Sequence, residues 1–488
     1  MLKHRGLCLC VSDDSFYRRR PVAEVRPILD EARHQGYNFL WLWPHAEARL
    51  SPVGPADDAA VQATRRDGLL AEHAASLDMG VGLVWSAEPA LCGEPAALGR
   101  EPLPTPQQTR SRLQRTVGIL SEFAGLSGIL AVAGGPEPAA AHDAVARAAE
   151  LVAGVREVAP GTEAFLWVTD TDEARRRRLV EQHPDWLDGI VAHGCGVLSQ
   201  WQELGLPQRV AILCPVELSV PDETGFEWVS PRPGALSTVF VQLAHARADG
   251  FIGYSTGVQD DLNKVLAAQF AQTPTQPAED VLADYALRYF AFHGATARLF
   301  AREMQRWEVA EPVAPPGPAP GETAEEPSGL WRRLGETIGS GVIGRHWRWR
   351  LIAGQAQARL LLAQIGTPAS LAHRVIRALT PIADSATPTA LATAAGQARA
   401  HLREASDALE GLRALVGQMH DEACLNPPQG DPEGQEGDEL DAWWQATWRR
   451  YAHVERLLTE TVRRIEGATE LEAARSIVLA VQSRFEAT

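Results

Sequence analysis

The sequence has no long apolar run. Hydrophobic residues make up 45% of its 488 positions, yet no segment approaches the roughly 20 consecutive apolar residues that a helix needs to cross a bilayer. The first residues, MLKHRGLCLCVSDD, also lack the apolar region and the small-residue cleavage site of a secretory signal peptide. The sequence therefore predicts a folded protein with no membrane partner, and we expect it in the cytoplasm.

Cysteine is scarce, and its spacing is not that of a metal site. The six cysteines include no CxxC pair, the spacing that marks zinc sites and redox centres. No G-x-G-x-x-G follows the first predicted strand, and no G-x-x-x-x-G-K occurs, which disfavours dinucleotide and nucleotide binding. The sequence therefore predicts thiols without disulfides and no cofactor.

Basic residues are fewer than acidic residues. Lys and Arg number 46 against 62 Asp and Glu, which gives a formal net charge of -16. Binding to nucleic acid requires clustered Lys and Arg that displace counterions from phosphates. The main basic cluster, RRRR at 175–178, lies in a predicted helix and is more typical of a solvated face. We therefore expect no nucleic-acid partner.

The first 300 residues alternate short apolar runs with segments of helical periodicity. The apolar runs are GLCLCVSD, NFLWLWPH, GVGLVWSAE, SGILAVAGGPE, EAFLWVTD, DGIVAHGC, RVAILCPVE and GFIGYSTG. Runs without polar alternation are typical of parallel strands buried on both faces. Eight of them, alternating with helices over this length, predict a (β/α)8 TIM barrel in the α/β class. An open, doubly wound sheet is the rival fold.

The pattern changes after residue 308. Residues 309–330 are rich in Pro, Gly and Glu, which predicts a linker or a loop. Residues 331–488 contain long amphipathic helical segments, interrupted by the acidic stretch 426–439. We therefore expect a catalytic barrel at 1–308 and an all-α C-terminal domain at 331–488. Its helices are predicted to pack on the barrel or to form a homodimer.

Polar or aromatic side chains follow every predicted strand. Active sites in this type of barrel lie at the carboxyl ends of the strands, so these side chains should ring one cup. In chain order the candidates are Asp13, Asp14, Trp43, His45, Trp85, Glu88, Glu137, Asp170, His193, Glu217, Tyr254 and Asp261.

Acids mixed with tryptophans are typical of carbohydrate sites. Aromatic faces stack on the C–H faces of sugar rings, and paired carboxylates perform acid and base chemistry. A metal site is the competing interpretation, but the first strand ends in VSDD, without paired histidines. A metal-dependent hydrolase built on Asp13, His193 and another acid stays open as the alternative.

Residues 250–290, GFIGYSTGVQDDLNKVLAAQFAQTPTQPAEDVLADYALRYF, together with PRPGA at 231–235, carry a resemblance to a known group. They resemble the last strand and following helices of bacterial glycoside-hydrolase-like (β/α)8 proteins. A barrel followed by helices is similar in layout to glycoside hydrolase families 20 and 67. The resemblance implies hydrolysis of O-glycosyl bonds. Strand four ends in GGPEP, where family 20 has adjacent Asp and Glu, which disfavours a mechanism assisted by a substrate acetamido group.

The acids on strands four and seven form the predicted catalytic pair. Glu137 is predicted to be the general acid/base and Glu217 the nucleophile of a retaining glycoside hydrolase. A cup built from all eight strands favours exo action on a chain end or a short oligosaccharide. Two structural alternatives stay open, in which Glu137 caps a helix and Glu217 pairs with Arg232. A non-catalytic glycan-binding barrel is the alternative function.

The doubled aspartate in GVQDDLNK also has two interpretations. Asp260 or Asp261 is suited to cap the helix that follows. The other aspartate, with Asn263 and Lys264, is predicted either to face the cup or to form an ion pair that holds the loop.

Overall fold

A computed structural model gives the architecture of the chain. The residues that it describes are 2–10, 16–43, 58–86, 107, 111, 114, 118, 125–133, 138–168, 173–182, 184–192, 195–207, 210–218, 229, 231–308, 331, 334–335, 338, 346–365, 368–384, 387–423, 456–467, 473–474 and 476–480.

Eight parallel strands close into a barrel in chain order, and the last strand pairs with the first. The strands are β1 (His4–Cys10), β2 (Phe39–Trp43), β3 (Gly80–Ser86), β4 (Gly128–Ala133), β5 (Glu163–Val168), β6 (Gly189–Ala192), β7 (Ala211–Glu217) and β8 (Gly250–Ser255). The predicted TIM barrel is confirmed, and the doubly wound sheet is wrong.

Helices alternate with these strands and continue after the last one. Those described up to residue 308 are α1 (Phe16–Arg19), α2 (Val22–Gln35), α3 (Asp58–Ser76), α4 (Pro138–Val158), α5 (Glu173–Gln182), α6 (Cys195–Glu203), α7 (Pro233–His245), α8 (Asp261–Gln272), α9 (Ala278–Phe290) and α10 (Gly294–Arg306). Three α-helices, α8, α9 and α10, follow β8 in succession, so the barrel unit extends beyond the last strand–helix repeat.

Large aromatic side chains fill the barrel interior, and glycines on neighbouring strands make room for them. Trp41 stacks on Phe39 with ring centroids 4.6 Å apart and meets Phe165 edge-on at 5.5 Å. A Cβ atom built on Gly6 would lie 2.8 Å from the Trp41 ring, and one on Gly128 would lie 3.1 Å from it. Close packing therefore requires these glycines.

Replacing Gly82 with alanine is expected to destabilise the barrel. A Cβ atom at Gly82 would overlap the Trp41 ring and lie 2.7 Å from Cε1 of Phe39. Because overpacking a dense interior costs about 1–3 kcal/mol, we expect the free energy of unfolding in urea to fall by that amount. Gly154→Ala is the control, because a Cβ there meets no atom within 4 Å. Equal losses in the two variants would contradict the packing argument.

Three strands, β2, β6 and β8, are each preceded by a polar residue that binds the neighbouring strand at the amino end of the barrel. In each case a side-chain oxygen accepts the backbone N–H of a residue on the preceding strand. The N–H of Arg5 donates to Asn38, that of Ala164 to Asp188 and that of Ile212 to Asp249, each at 2.8 Å. This end of a barrel generally serves stability, while the carboxyl end carries function.

The chain divides into two compact units. One comprises Met1–Val220 and Ser230–Glu308, and the other comprises Pro221–Val229 and Val309–Thr488. The described helices of the second unit include α11 (Trp347–Ile365), α12 (Pro368–Asp384) and α13 (Pro388–Ala423). Residues 456–466 are also helical. The predicted helical C-terminal region is confirmed.

The helical unit has a core of its own. On α12 the buried apolar residues Leu371, Val375, Leu379 and Ile382 recur every three or four positions, which places them on one face of the helix. They belong to one cluster with small residues of α13 and with Leu458.

Among the described residues, no helix combines the length and apolar character that a bilayer span requires.

Candidate active site

Three strands bring inward-facing aromatic side chains to the carboxyl mouth of the barrel. Successive side chains of a strand alternate between its two faces. Trp43 follows interior residue Trp41 by two positions, as Trp167 follows Phe165. Tyr254 likewise follows Ile252, and Trp43, Trp167 and Tyr254 all pack on the interior cluster while staying partly exposed.

The rings of Trp43, Trp167 and Tyr254 form a continuous surface, here called the aromatic floor. Trp43 meets Trp167 with ring centroids 6.0 Å apart and Tyr254 with centroids 6.1 Å apart, both edge-on. Rings in this arrangement attract one another beyond their burial of apolar area. The aromatic floor offers apolar faces on which a ligand can stack.

Glu217 stands at the rim beside this floor. It is the last residue of β7 and is paired in register with Tyr254. Its side chain is on the same side of the strand as that of Leu213, which belongs to the interior cluster. The residue is exposed, and within the described part of the chain its carboxylate has no hydrogen-bond partner. The structure therefore presents this acid to the mouth of the barrel.

The main chain around Glu217 is held from two sides. The Arg232 guanidinium donates from Nη1 to the backbone carbonyl of Glu217 at 3.2 Å. The N–H of Leu218 donates to the carbonyl of Tyr254 at 3.0 Å. Arg232 thus contacts the backbone of Glu217, in place of the carboxylate pairing considered as an alternative.

Trp85 does not join the aromatic floor. Its neighbour Val84 belongs to the interior cluster, so the Trp85 side chain points to the opposite face of β3. Trp85 is also only 2% exposed, which leaves no surface for a sugar ring. The prediction that it binds substrate is corrected, because it is one position out of phase with the interior.

Asp261 is buried rather than presented to the cup. Its Oδ2 accepts a hydrogen bond of 2.8 Å from the hydroxyl of Tyr285, on α9. Asp260 occupies the N-cap position of α8 without a side-chain capping bond and forms an ion pair with Lys264. The substrate-binding and capping predictions for this pair are therefore corrected, and the ion-pair interpretation describes Asp260.

Lys264 connects this buried cluster to the turn after β8. Its Nζ donates to the carbonyl of Gly257 at 2.5 Å and lies 5.4 Å from the centroid of the Tyr17 ring. Burial acts to lower the pKa of Lys264. The negative charge of Asp260, with smaller contributions from Tyr17 and Asp261, raises the pKa by more than burial lowers it, so the net shift is upward. The ammonium is therefore charged at neutral pH.

Tyr17 completes the cluster from α1. Burial raises its pKa to about 12, against the opposing effect of the Lys264 charge. The protonated hydroxyl lies 2.6 Å from the hydroxyl of Ser255 and 3.1 Å from the carbonyl of Gly257. These contacts join α1, β8 and α8 behind the mouth of the barrel, so the polar residues of YSTGVQDDLNK chiefly support the wall.

Seven of the predicted site residues lie outside the described residues. They are Asp13, Asp14, His45, Glu88, Glu137, Asp170 and His193. Their roles stay predictions. In the part of the chain that is described, no group of three or more His, Cys, Asp or Glu side chains is placed to hold a metal ion.

Trp167 is the residue of the mouth that the sequence analysis missed. In EAFLWVTD the predicted site residue was Asp170, the first acid after the strand, and the tryptophan within the strand was not among the candidates. Alternation identifies Trp167 only once Phe165 is known to face the interior, because the two residues have the same phase. Its indole N–H is buried and has no hydrogen-bond partner among the residues that the structure describes.

No family model matches the sequence, and no curated protein matches it. Among solved structures, the chain is similar to a family 89 glycoside hydrolase from Clostridium perfringens in complex with PUGNAc, with 9% identity and a TM-score of 0.57. The likeness covers 98% of this chain, which spans 66% of the length of that protein. It extends over both the barrel and the helices and shows a shared fold.

Two further solved structures are similar over a smaller share of the chain. One is GH5_18 from Streptomyces cattleya in complex with GlcNAc, with 12% identity and a TM-score of 0.40 over 57% of this chain and 82% of that one. The other is the 4-hydroxy-tetrahydrodipicolinate synthase from Methylacidiphilum fumariolicum SolV, with 13% identity and a TM-score of 0.36 over 69% of this chain and 97% of that one.

Proposed function

We propose that the protein is a glycoside hydrolase whose active site lies at the carboxyl mouth of the barrel. The observation that carries the proposal is the exposed carboxylate of Glu217 beside the aromatic floor. A carboxylate next to stacking surface suits a sugar ring, whose C–H faces are apolar and whose anomeric carbon is attacked by one carboxylate while a second acid protonates the leaving oxygen. The fold shared with a family 89 glycoside hydrolase supports the same assignment.

Glu217 and Glu137 divide the chemistry in this proposal. A Glu217 oxygen attacks the anomeric carbon while Glu137 gives its proton to the departing glycosidic oxygen, and the bond between that carbon and oxygen breaks. Water then attacks the same carbon, Glu137 takes its proton, and Glu217 is released. This is the retaining route, which requires carboxyl groups about 5–5.5 Å apart.

The aromatic floor favours action at a chain end. Its three rings pack directly on the barrel's interior cluster, so a sugar entering the mouth meets a closed apolar base. A pocket closed from below accommodates a terminal sugar better than the middle of a long chain. We therefore propose exo action on a chain end or a short oligosaccharide.

We also propose that the protein forms a homodimer through its C-terminal helices and that it works in the cytoplasm.

The proposal is tested by hydrolysis and binding together. We expect the protein to release the aryl group from at least one member of a panel of α- and β-aryl glycosides, and Trp167→Ala to bind the responsive sugar about tenfold more weakly because a stacking face is lost. Calorimetric titration measures the affinity, and PUGNAc is included as a probe because the family 89 neighbour binds it. Trp85→Phe is the control, since Trp85 faces away from the mouth.

Unchanged affinity in Trp167→Ala would remove the aromatic floor from the site. A glycan-binding barrel without catalysis is the second candidate, and the aromatic floor is the observation that favours it, because stacking needs no acid pair. Binding of sugars without release of any aryl group would support this second function. An absence of both binding and release would contradict both candidates.

A further inference from the structure

Asn263 is buried in the first turn of α8 and joins two segments of chain that flank the end of β7. Its side chain is almost inaccessible, with the residue 2% exposed. Its Oδ1 accepts the backbone N–H of Arg232 at 2.9 Å. Its Nδ2 donates to the backbone carbonyl of Leu218 at 2.8 Å. One amide therefore fixes both residue 218, directly after Glu217, and residue 232, at the start of α7.

Arg232 links Asn263 to the main chain of Glu217. Its backbone is held by Asn263, and its guanidinium donates to the carbonyl of Glu217 at 3.2 Å. The helix that follows is anchored as well, because the Glu308 carboxylate accepts the N–H groups of Gly234 and Ala235, each at 2.7 Å. The position of Arg232 is thus set from its own side chain, from Asn263 and from the capped start of α7.

Three successive main-chain groups at the end of β7 are therefore hydrogen-bonded: the carbonyl of Glu217, the N–H of Leu218 and the carbonyl of Leu218. Arg232 binds the carbonyl of Glu217, Tyr254 accepts the N–H of Leu218, and Asn263 binds the carbonyl of Leu218. The Glu217 side chain itself is exposed, so it gains no fixed orientation from packing of its own. Its direction depends on how firmly the strand end is held.

We infer that Asn263 is a positioning residue that orients Glu217 for attack on the anomeric carbon, an inference that rests on the proposed function. A nucleophile must stand within a narrow range of its target, and a shift of about 1 Å can cost about a hundredfold in rate. Asparagine suits this place because one short side chain supplies both a donor and an acceptor. Aspartate lacks the donor, and leucine lacks both.

The test separates positioning from general support of the fold. We expect Asn263→Ala to lower kcat about tenfold to a hundredfold while KM changes less than twofold, since the aromatic floor is untouched. Asn263→Asp keeps the acceptor for the Arg232 N–H but loses the donor to the Leu218 carbonyl. We expect its kcat to fall nearly as far as that of Asn263→Ala. The control is Gln272→Ala, at the other end of α8, where Nε2 likewise donates to a backbone carbonyl, that of Gln35, at 2.8 Å.

Hydrogen exchange gives a readout that does not depend on catalysis. We expect the Leu218 amide to exchange at least tenfold faster in Asn263→Ala than in the wild type, with the amide of Leu213 in the middle of β7 unchanged. Equal kcat in the Asn263 and Gln272 variants, or unaltered exchange at Leu218, would overturn the inference. A wild-type protein without hydrolytic activity would instead count against the proposed function, and exchange at Leu218 would still decide whether Asn263 holds the strand end.

Discussion

Glu217→Gln is expected to lower kcat for aryl glycoside hydrolysis by about 10⁴-fold or more. The amide keeps the size of the side chain but removes the charged oxygen that forms the bond to the anomeric carbon, so the covalent step fails. Initial rates with the most reactive substrate of the panel measure the loss. Because Glu217 is exposed and its carboxylate has no hydrogen-bond partner among the described residues, we expect the melting temperature to stay within about 2 °C.

Glu163→Gln is the matched control for this loss. Glu163 is also exposed, but it begins β5 and therefore lies at the opposite end of the barrel from the mouth. The same chemical change there should leave kcat unaltered. A similar decrease in both variants would place the chemistry elsewhere.

The role of Glu217 is separated from that of an acid/base by chemical rescue. In Glu217→Ala, azide can enter the space of the missing carboxylate and attack the anomeric carbon, so we expect recovery of aryl release and a glycosyl azide of inverted configuration. A glycosyl azide that retains the substrate's configuration would identify Glu217 as the acid/base instead. Glu137→Ala is expected to give that retained product, because its nucleophile is intact.

The barrel was predictable because each strand is buried on both faces and reads as an uninterrupted apolar run. The same property hides which side chains face inward. Trp85 and Trp167 occupy similar places near the ends of VGLVWS and EAFLWV, yet only Trp167 has the phase of the interior cluster. Phase follows from the pairing of each strand with its neighbours, which the strand's own sequence does not contain.

The acids of the last barrel repeat show a second limit of sequence analysis. Asp260 and Asp261 stand where a helix begins, and local preference favours capping there. The structure instead uses Asp261 to accept a bond from Tyr285, which is 24 residues further along the chain. Such a contact depends on how α9 packs on α8. Glu217, by contrast, was identified correctly as a strand end because its place depends only on where β7 stops.

Lys264→Met is expected to destabilise the barrel by about 3–5 kcal/mol. Lys264 and Lys3 are the only lysines in the sequence, and the Lys264 and Asp260 side chains of the ion pair are 3% and 1% exposed. Removing one partner leaves the other charge buried without its counterion, which is the costly case. Urea denaturation followed by circular dichroism measures the loss. Arg302→Met is the control, because the Arg302–Glu279 pair of the same unit is 63% and 41% exposed, and an exposed pair contributes at most about 1 kcal/mol.

The double variant Asp260→Asn with Lys264→Met decides whether charge or packing is responsible. Once both charges are gone no buried ion is left uncompensated, so we expect the double variant to be more stable than Lys264→Met alone by about 1–3 kcal/mol. Strictly additive losses would show that Lys264 acts through its hydrogen bond to Gly257 and its contact with Tyr17 rather than through the pair. The cluster lies behind β8, whose Tyr254 belongs to the aromatic floor. Loss of the pair is therefore expected to lower the stability of the barrel wall before it alters the chemistry at Glu217.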